Sequence, residues 1–166
     1  MDIGGFFKIL QYFKESNEVF DYIIKLHTKT CDSWRNSLCN IVDSIKDIRR
    51  ILNILKILPK VGMVAGKNWL IKIDDLNINK VKSFCNENNW IYNMNHKFVG
   101  GTMFWIRYEC IKTILLLDLR EIYKTFEEGY IVNNKETNTH MWERLLGLSI
   151  NKTKHITKTT YTNHHA

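Results

Sequence analysis

The chain of 166 residues contains a single proline, Pro59, and only four cysteines: Cys31, Cys39, Cys85 and Cys110. No two of them form a C-x-x-C pair, which argues against a zinc ribbon. His27 and Cys31 stand four apart, but no second pair completes a metal site, and the four thiols read as buried and reduced in a cytosolic protein. No apolar run approaches the ~18 residues that a membrane span needs. The opening Met1-Asp-Ile-Gly-Gly-Phe-Phe7 lacks the basic start and cleavage site of a signal peptide. No block of five like charges occurs, so the net charge of +7 is spread along the chain. Internal repeats and recognised nucleic-acid motifs are also missing, and net charge alone is a solubility and steering statement. The expectation is a protein with no nucleic-acid partner and no transmembrane segment.

What is present is ample material for one domain. Hydrophobic residues make up 45% and aromatics 12%, enough to bury a core at this length. Asp2 is placed to cap a first helix with Phe6, Ile9, Leu10 and Phe13 on one face, ending at Ser16-Asn17-Glu18. Phe20–His27 reads as a buried strand. Asp32 or Ser33 then opens one long helix. Its stripe runs through Leu38, Ile41, Val42, Ile45, Ile48, Ile51, Leu52 and Leu55 and stops at Pro59. Val61–Ala65 is a second short buried strand. A helix is expected over 77–88, with Val81, Phe84 and Cys85 inward. A strand follows over Phe98–Arg107, then a helix through Ile111, Ile114 and Leu115. Residues 127–134 read as a loop. Thr137 or Asn138 caps a last helix whose polar face carries His140, Glu143 and Arg144. From Asn151 the composition turns to Lys, Thr, Asn and His, which reads as a disordered polar tail over 151–166. Strands alternating with helices predict an α/β layer fold over 1–150.

Three stretches carry candidate chemistry. In Phe98-Val-Gly-Gly-Thr-Met-Phe-Trp-Ile-Arg107 an apolar strand is interrupted by Gly100-Gly101. Such a pair marks either a bulge or a close approach of backbone to a ligand. In Tyr22–Lys29 a strand runs into Lys25, His27, Thr28 and Lys29, with the two lysines and the histidine alternating to one side. Cationic and hydroxyl side chains at the carboxyl end of a strand suit a phosphate or diphosphate. Trp34-Arg35 opens the next helix, where backbone N–H groups attract anions. His140, Glu143 and Arg144 could form a general base with its orienting partners. Glu127-Glu128 offers a further carboxylate, and Asp74-Asp75 reads as a turn.

Together these pieces resemble the rhamnan synthesis protein F group of glycosyltransferases. The resemblance rests on motifs in order over about residues 2–148: Asp2-Ile-Gly-Gly5, Phe20-Asp-Tyr22, Lys25-Leu-His-Thr-Lys29, Trp34-Arg35 and Gly62-Met-Val64. Gly101-Thr-Met-Phe-Trp-Ile-Arg107 and His140-Met-Trp-Glu-Arg144 complete it. The resemblance implies a GT-A-like mixed sheet flanked by helices, and transfer of a rhamnose-like sugar from a nucleotide-sugar donor to a glycan acceptor. It implies His140 or Glu128 as base, with Glu143 beside it. The donor and acceptor would be bound by Asp2, His27, Thr28, Lys29, Trp34, Arg35, Gly101, Thr102, Arg107 and Arg144. Where most GT-A enzymes hold a divalent metal on an Asp-x-Asp pair, His27, Thr28 and Lys29 stand here. A metal-independent donor site, with Lys29 and Arg35 near the phosphates, is therefore expected. The acid that the family carries shortly before its histidine has Glu136 as its nearest counterpart. The resemblance covers the later part of a catalytic domain and lacks the strands that hold the nucleotide base. A partner chain could supply them, with peripheral membrane association compatible and a cytoplasmic location expected. The alternative is a catalytically inactive remnant that binds a glycan or a partner.

Overall fold

The computed structural model describes residues 2–73, 77–93, 95–128 and 136–160. The chain runs α1 (Asp2–Ser16), β1 (Tyr22–Lys25), α2 (Asp32–Cys39), α3 (Ile45–Ile57), β2 (Val61–Ala65), β3 (Leu70–Lys72) and α4 (Ile78–Glu87). It continues with β4 (Lys97–Val99), β5 (Phe104–Arg107), α5 (Tyr108–Leu115), α6 (Leu119–Lys124), α7 (Asn138–Lys152) and β6 (Ile156–Thr159). Four strands form a mixed sheet in the order β1-β5-β2-β6, and β3 and β4 form a separate antiparallel pair. β5 is antiparallel to both β1 and β2, and β2 is parallel to β6. The carboxyl ends of β1, β2 and β6 therefore point the same way, toward the start of β5. The α/β expectation, a mixed sheet flanked by helices, holds.

Alternation along the strands divides two apolar layers. Met63, Ala65, Phe104 and Ile106 face α1, α5 and α7, where Phe7 and Trp142 meet edge to face with ring centroids 4.6 Å apart. Val61, Val64 and Met103 face the other way, against Leu38, Ile41, Ile51 and Leu55 of the α2–α3 segment. Burial of both faces explains why β2 is a continuous apolar run, every residue of it buried. β1 is only partly buried because it is an edge strand.

Several expectations are corrected. The single helix from Asp32 to Pro59 is two, because Ser44 starts afresh: its hydroxyl accepts from Asp47 N–H at 3.2 Å as the N-cap of α3. Ile45, counted in the buried stripe, is exposed as a result. The strand expected over Phe98–Arg107 is divided by the glycine pair into β4 and β5, which belong to different sheets. Gly101 at φ +75° and Thr102 at φ +53° turn the chain there. The strand expected to reach His27 ends at Lys25. Ile9, expected on the buried face of α1, is exposed, and Phe7 is buried instead. The polar stretch from Asn151 is not disordered through its described residues. α7 continues to Lys152, and Ile156–Thr159 adds β6 beside β2, hidden from sequence by its polar composition. Of the four thiols Cys85 and Cys110 are buried, with burial pushing both up to about 11, while Cys39 is half-buried and Cys31 exposed.

Among the described residues no helix is long and apolar enough to cross a membrane. Asp74-Asp75 and Gly129–Lys135 of the acidic loop lie outside the described residues.

Candidate functional site

The carboxyl end of the sheet gathers side chains from α1, β1 and its exit, the Gly101–Thr102 turn and α7. Lys25 is the last residue of β1 and 5% exposed. Its ammonium donates to Asp2 Oδ2 at 2.8 Å, to the Thr102 carbonyl at 3.0 Å and to Thr102 Oγ1 at 3.0 Å. The Thr102 hydroxyl in turn donates to Asp2 Oδ2 at 2.5 Å. A buried ammonium survives only with such partners. Asp2 opens α1, where its charge also complements the helix dipole. Burial alone would raise its carboxyl. The Lys25 ammonium, with the Thr102 hydroxyl and His27, overrides that and holds Asp2 well below the usual carboxylate range. Burial pushes Lys25 below its ordinary value, opposed by Asp2.

His27 lies against the same group. Its Nδ1 is 3.3 Å from Lys25 Nζ and 3.4 Å from Asp2 Oδ2. Burial, followed by the neighbouring Lys25 charge, lowers its pKa to about 4, so the ring is neutral at pH 7. The three ammonium protons of Lys25 are taken up by Asp2 and the two Thr102 oxygens. The tautomer sets whether Nδ1 donates to Asp2 or faces Lys25 as an acceptor, and Nε2 takes the opposite role. That Nε2 atom is buried and has no hydrogen-bond partner among the described residues. Asn40 Oδ1 and Thr160 Oγ1 are also buried without a partner there. They too sit at this end of the sheet: Asn40 lies against Gly66, just past β2, and Thr160 follows β6 with its N–H on Ala65. Buried polar atoms are almost always satisfied, and ligands of open α/β sheets lie at the carboxyl ends of strands, so His27 Nε2, beside the Asp2–Lys25 pair, is a candidate contact for a polar ligand.

The turn before β5 joins this cluster to α7. Gly101 N–H donates to Glu143 Oε1 at 2.8 Å, and Arg144 Nη1 stands 3.6 Å from Glu143 Oε2. Burial pushes the Glu143 carboxyl above its ordinary value, with the Gly101 N–H and Arg144 opposing and Asp2 reinforcing the rise. Thr102, β-branched and at positive φ, is a strained residue held by the bonds of its own hydroxyl and carbonyl. On the far side of the turn Trp34 and Trp69 face each other at 5.9 Å, and Lys29 Nζ lies 4.3 Å from the Trp34 ring. A Cβ on Gly101 would come within 3.5 Å of Trp34 Nε1, so this turn separates the acid–base cluster from the aromatic pair.

The expected site residues divide accordingly. Asp2, His27, Gly101, Thr102, Glu143 and Arg144 come together, and Lys29 and Trp34 border them. Lys25, which strand alternation sets on one side with His27 and Lys29, belongs here, as does Trp69, to which nothing in the sequence assigns a role. Arg107 does not join them. It stands at the opposite end of β5, where its guanidinium donates to the Val61, Leu55 and Leu58 carbonyls and anchors the end of α3. Arg35 is exposed, ion-paired with Asp32 at 2.6 Å. Thr28 and Glu128 are exposed. The carboxylate of Glu127, beside Glu128, receives the N–H groups of Asn138 and Thr139 at the start of α7. His140 sits one turn before Glu143, its Nδ1 2.7 Å from Thr137 Oγ1, and Arg144 reaches back to its carbonyl at 2.9 Å. Among the described residues no three His, Cys, Asp or Glu side chains come together as a metal-holding group.

Among curated proteins the chain is similar to WxcX of Xanthomonas campestris pv. campestris, described as an uncharacterized protein. It is 25% identical over 165 residues to the protein of strain B100, covering 89% of this chain and 23% of that protein. The protein of strain ATCC 33913 is 24% identical over 165 residues, with the same coverage. The chain thus spans about a quarter of the length of these curated relatives. No family model matches it, and no solved structure matches it.

Proposed function

We propose that this chain forms part of a glycosyltransferase site that moves a rhamnose-like sugar from a nucleotide-sugar donor to a glycan acceptor. The observation that carries the reading is Glu143. A carboxyl with raised proton affinity is held by a backbone N–H beside a buried Asp2–Lys25–His27 cluster at the carboxyl ends of three co-directed strands. A GT-A-like arrangement of the mixed sheet fits this reading, since ligands of open α/β sheets lie at that end. So do the motifs at Asp2, Lys25–Lys29, Trp34, Gly101–Thr102 and Glu143–Arg144, which contribute residues at or beside it.

In the proposed reaction Glu143 takes the proton of an acceptor hydroxyl. The acceptor oxygen bonds to the anomeric carbon, and the bond from that carbon to the diphosphate breaks. The electron pair leaves with the nucleoside diphosphate. Among the described residues at this end of the sheet, Lys29, stacked on the Trp34 ring, is the cation assigned to face that charge, because Lys25 is committed to Asp2 and Thr102 and Arg35 is paired with Asp32. Preorganised cations stabilise a departing anion without a metal. His27 Nε2 accepts from a sugar hydroxyl, and Trp34 with Trp69 offers a ring face. Nucleotide-sugar donors place the reaction in the cytoplasm on this reading.

The first test is thermal-shift binding of nucleoside diphosphates and nucleotide sugars, with and without divalent metal, followed by a transfer assay. Binding without metal that is lost in Lys29→Ala, and transfer reduced 10²–10⁴-fold in Glu143→Gln, are expected. A folded chain that binds none of these ligands would sink the reading. A second reading has its own observation: the Lys25 ammonium is already saturated by internal oxygens, as in a purely structural knot. On that reading the chain is a non-catalytic glycan- or partner-binding module, and a glycan would raise Tm where nucleotides do not.

A further inference from the structure

The outer face of α3 is independent of the candidate site. α3 buries Ile51, Ile54 and Leu55 against the sheet. At ~100° per residue, Ile45, Lys46, Arg49, Lys56 and Ile57 fall within about a third of the helix circumference on the opposite side. All five are exposed, and Lys60 follows, exposed, in the turn beyond. The isoleucines are 60% and 67% exposed, one at each end of the helix. Asn53 is the neutral residue between them. The helix's one acid, Asp47, is turned away onto the Ser44 hydroxyl and Arg50. The solvent face of α3 is thus cationic, free of carboxylate and flanked by two aliphatic side chains.

We propose that this face docks on an anionic lipid surface. The cations match the negative charge of phospholipid headgroups, and the two isoleucines enter the interfacial layer, lying flat because the helix axis runs along the face. A nucleic-acid duplex would satisfy the cations but gives two aliphatic side chains nothing to bury against. Exposed isoleucines at both ends therefore favour the bilayer. The buried side of α3 stays on the sheet, so docking requires no unfolding.

The test is co-sedimentation of the full chain with vesicles of phosphatidylcholine alone and of phosphatidylcholine with phosphatidylserine, at about 0.1 M salt. Binding to the anionic vesicles and not to the neutral ones is expected. Each cation removed should weaken partitioning roughly five-fold, so K46Q/R49Q/K56Q should lose about 10²-fold. I45S/I57S should weaken vesicle binding while leaving any binding to duplex RNA or DNA unchanged. All five positions are exposed, and an unchanged Tm and circular-dichroism spectrum will confirm that the variants fold. Failure to sediment with anionic vesicles would overturn the proposal. So would vesicle binding that K46Q/R49Q/K56Q retains, or vesicle binding that I45S/I57S leaves unchanged.

Discussion

The two ends of the main sheet each hold a cation and use it differently. At one end Arg107 closes a structural joint: its guanidinium takes up the Leu55, Leu58 and Val61 carbonyls, the loose end of α3 and the start of β2. Each of these hydrogen-bond partners is backbone, and the guanidinium lies 5.5 Å from the centre of the Tyr22 ring. At the other end Lys25 holds Asp2 and Thr102, with the ring of His27 beside it. Its partners are ionisable or strained, and the buried His27 Nε2 beside them has no hydrogen-bond partner among the described residues. A joint that only stabilises can be completed by dipoles. A cluster that leaves His27 Nε2 open while burying Glu143 carries a cost that a brace has no need of, and this separates a candidate site from a brace.

This contrast can be broken by measurement. Removing one member of a buried ion pair leaves the other unpaired, so Lys25→Ala should lower the unfolding free energy by about 3–5 kcal/mol, read from urea denaturation. Arg107→Ala deletes hydrogen bonds from a charged donor and should cost about 2–3 kcal/mol. If Arg107→Ala proves the more damaging, the ranking of the two ends is inverted and Lys25 is the lesser anchor.

The pH dependence separates them further. His27 has a folded pKa of about 4, below its unfolded value of ~6.5. The unfolded chain therefore binds the proton first, and the stability His27 contributes is full above pH ~6.5 and lost as pH falls toward 4. His96, held neutral by burial and also lowered to about 4, adds to the same slope. Asp2 acts in the same direction at lower pH, since its depressed carboxyl stabilises above ~3.9 and that stability goes as pH drops. Glu143 has the opposite sign: its raised carboxyl contributes below ~4.3, and the contribution is lost as pH rises. His27→Gln should therefore flatten the stability profile between pH 6.5 and 4, and Arg107→Ala should leave its shape unchanged. Parallel profiles for the two variants would refute the assignment of His27.

The smallest effect concerns the helix that carries Glu143. Thr137 caps α7 by accepting from His140 N–H at 3.2 Å. Thr137→Ala should cost about 1 kcal/mol and leave ligand binding at the cluster intact. A loss of binding larger than the loss of stability would show that the cap positions Glu143.

Much of this was legible in the residues. Periodicity placed α1, α4, α5 and α7, and Thr137 or Asn138 stood out as the cap of the last, which the structure resolves to Thr137. Val61–Ala65 read as a buried strand because both faces are covered. What escaped has physical reasons. The stripe from Leu38 to Leu55 keeps helical spacing across residues 40–44, so only the hydroxyl cap at Ser44 tells of the break. β6 has one large apolar residue, Ile156, and its place is fixed by backbone pairing with β2, which leaves no pattern. The grouping of Asp2, Lys25, Thr102 and Glu143 depends on contacts across the whole chain. The individual residues were in view, but Glu143 and Arg144 on an amphipathic helix looked solvated, whereas Arg144 is buried over the Phe98 ring at 4.7 Å.

The position of β5 between β1 and β2 governs the order in which the protein can be made. Tyr22 pairs with Arg107, Met63 with Ile106 and Ala65 with Thr159, so every ladder of the main sheet joins segments dozens of residues apart. Until Phe104 to Arg107 has left the ribosome, β1 and β2 lack the strand that lies between them, and their apolar faces stand open. Closing such long loops costs entropy before any contact returns it. Assembly should therefore be slow and late, triggered when Phe104 to Arg107 emerges and completed only when β6 follows. Until then the nascent chain is a client for holding chaperones.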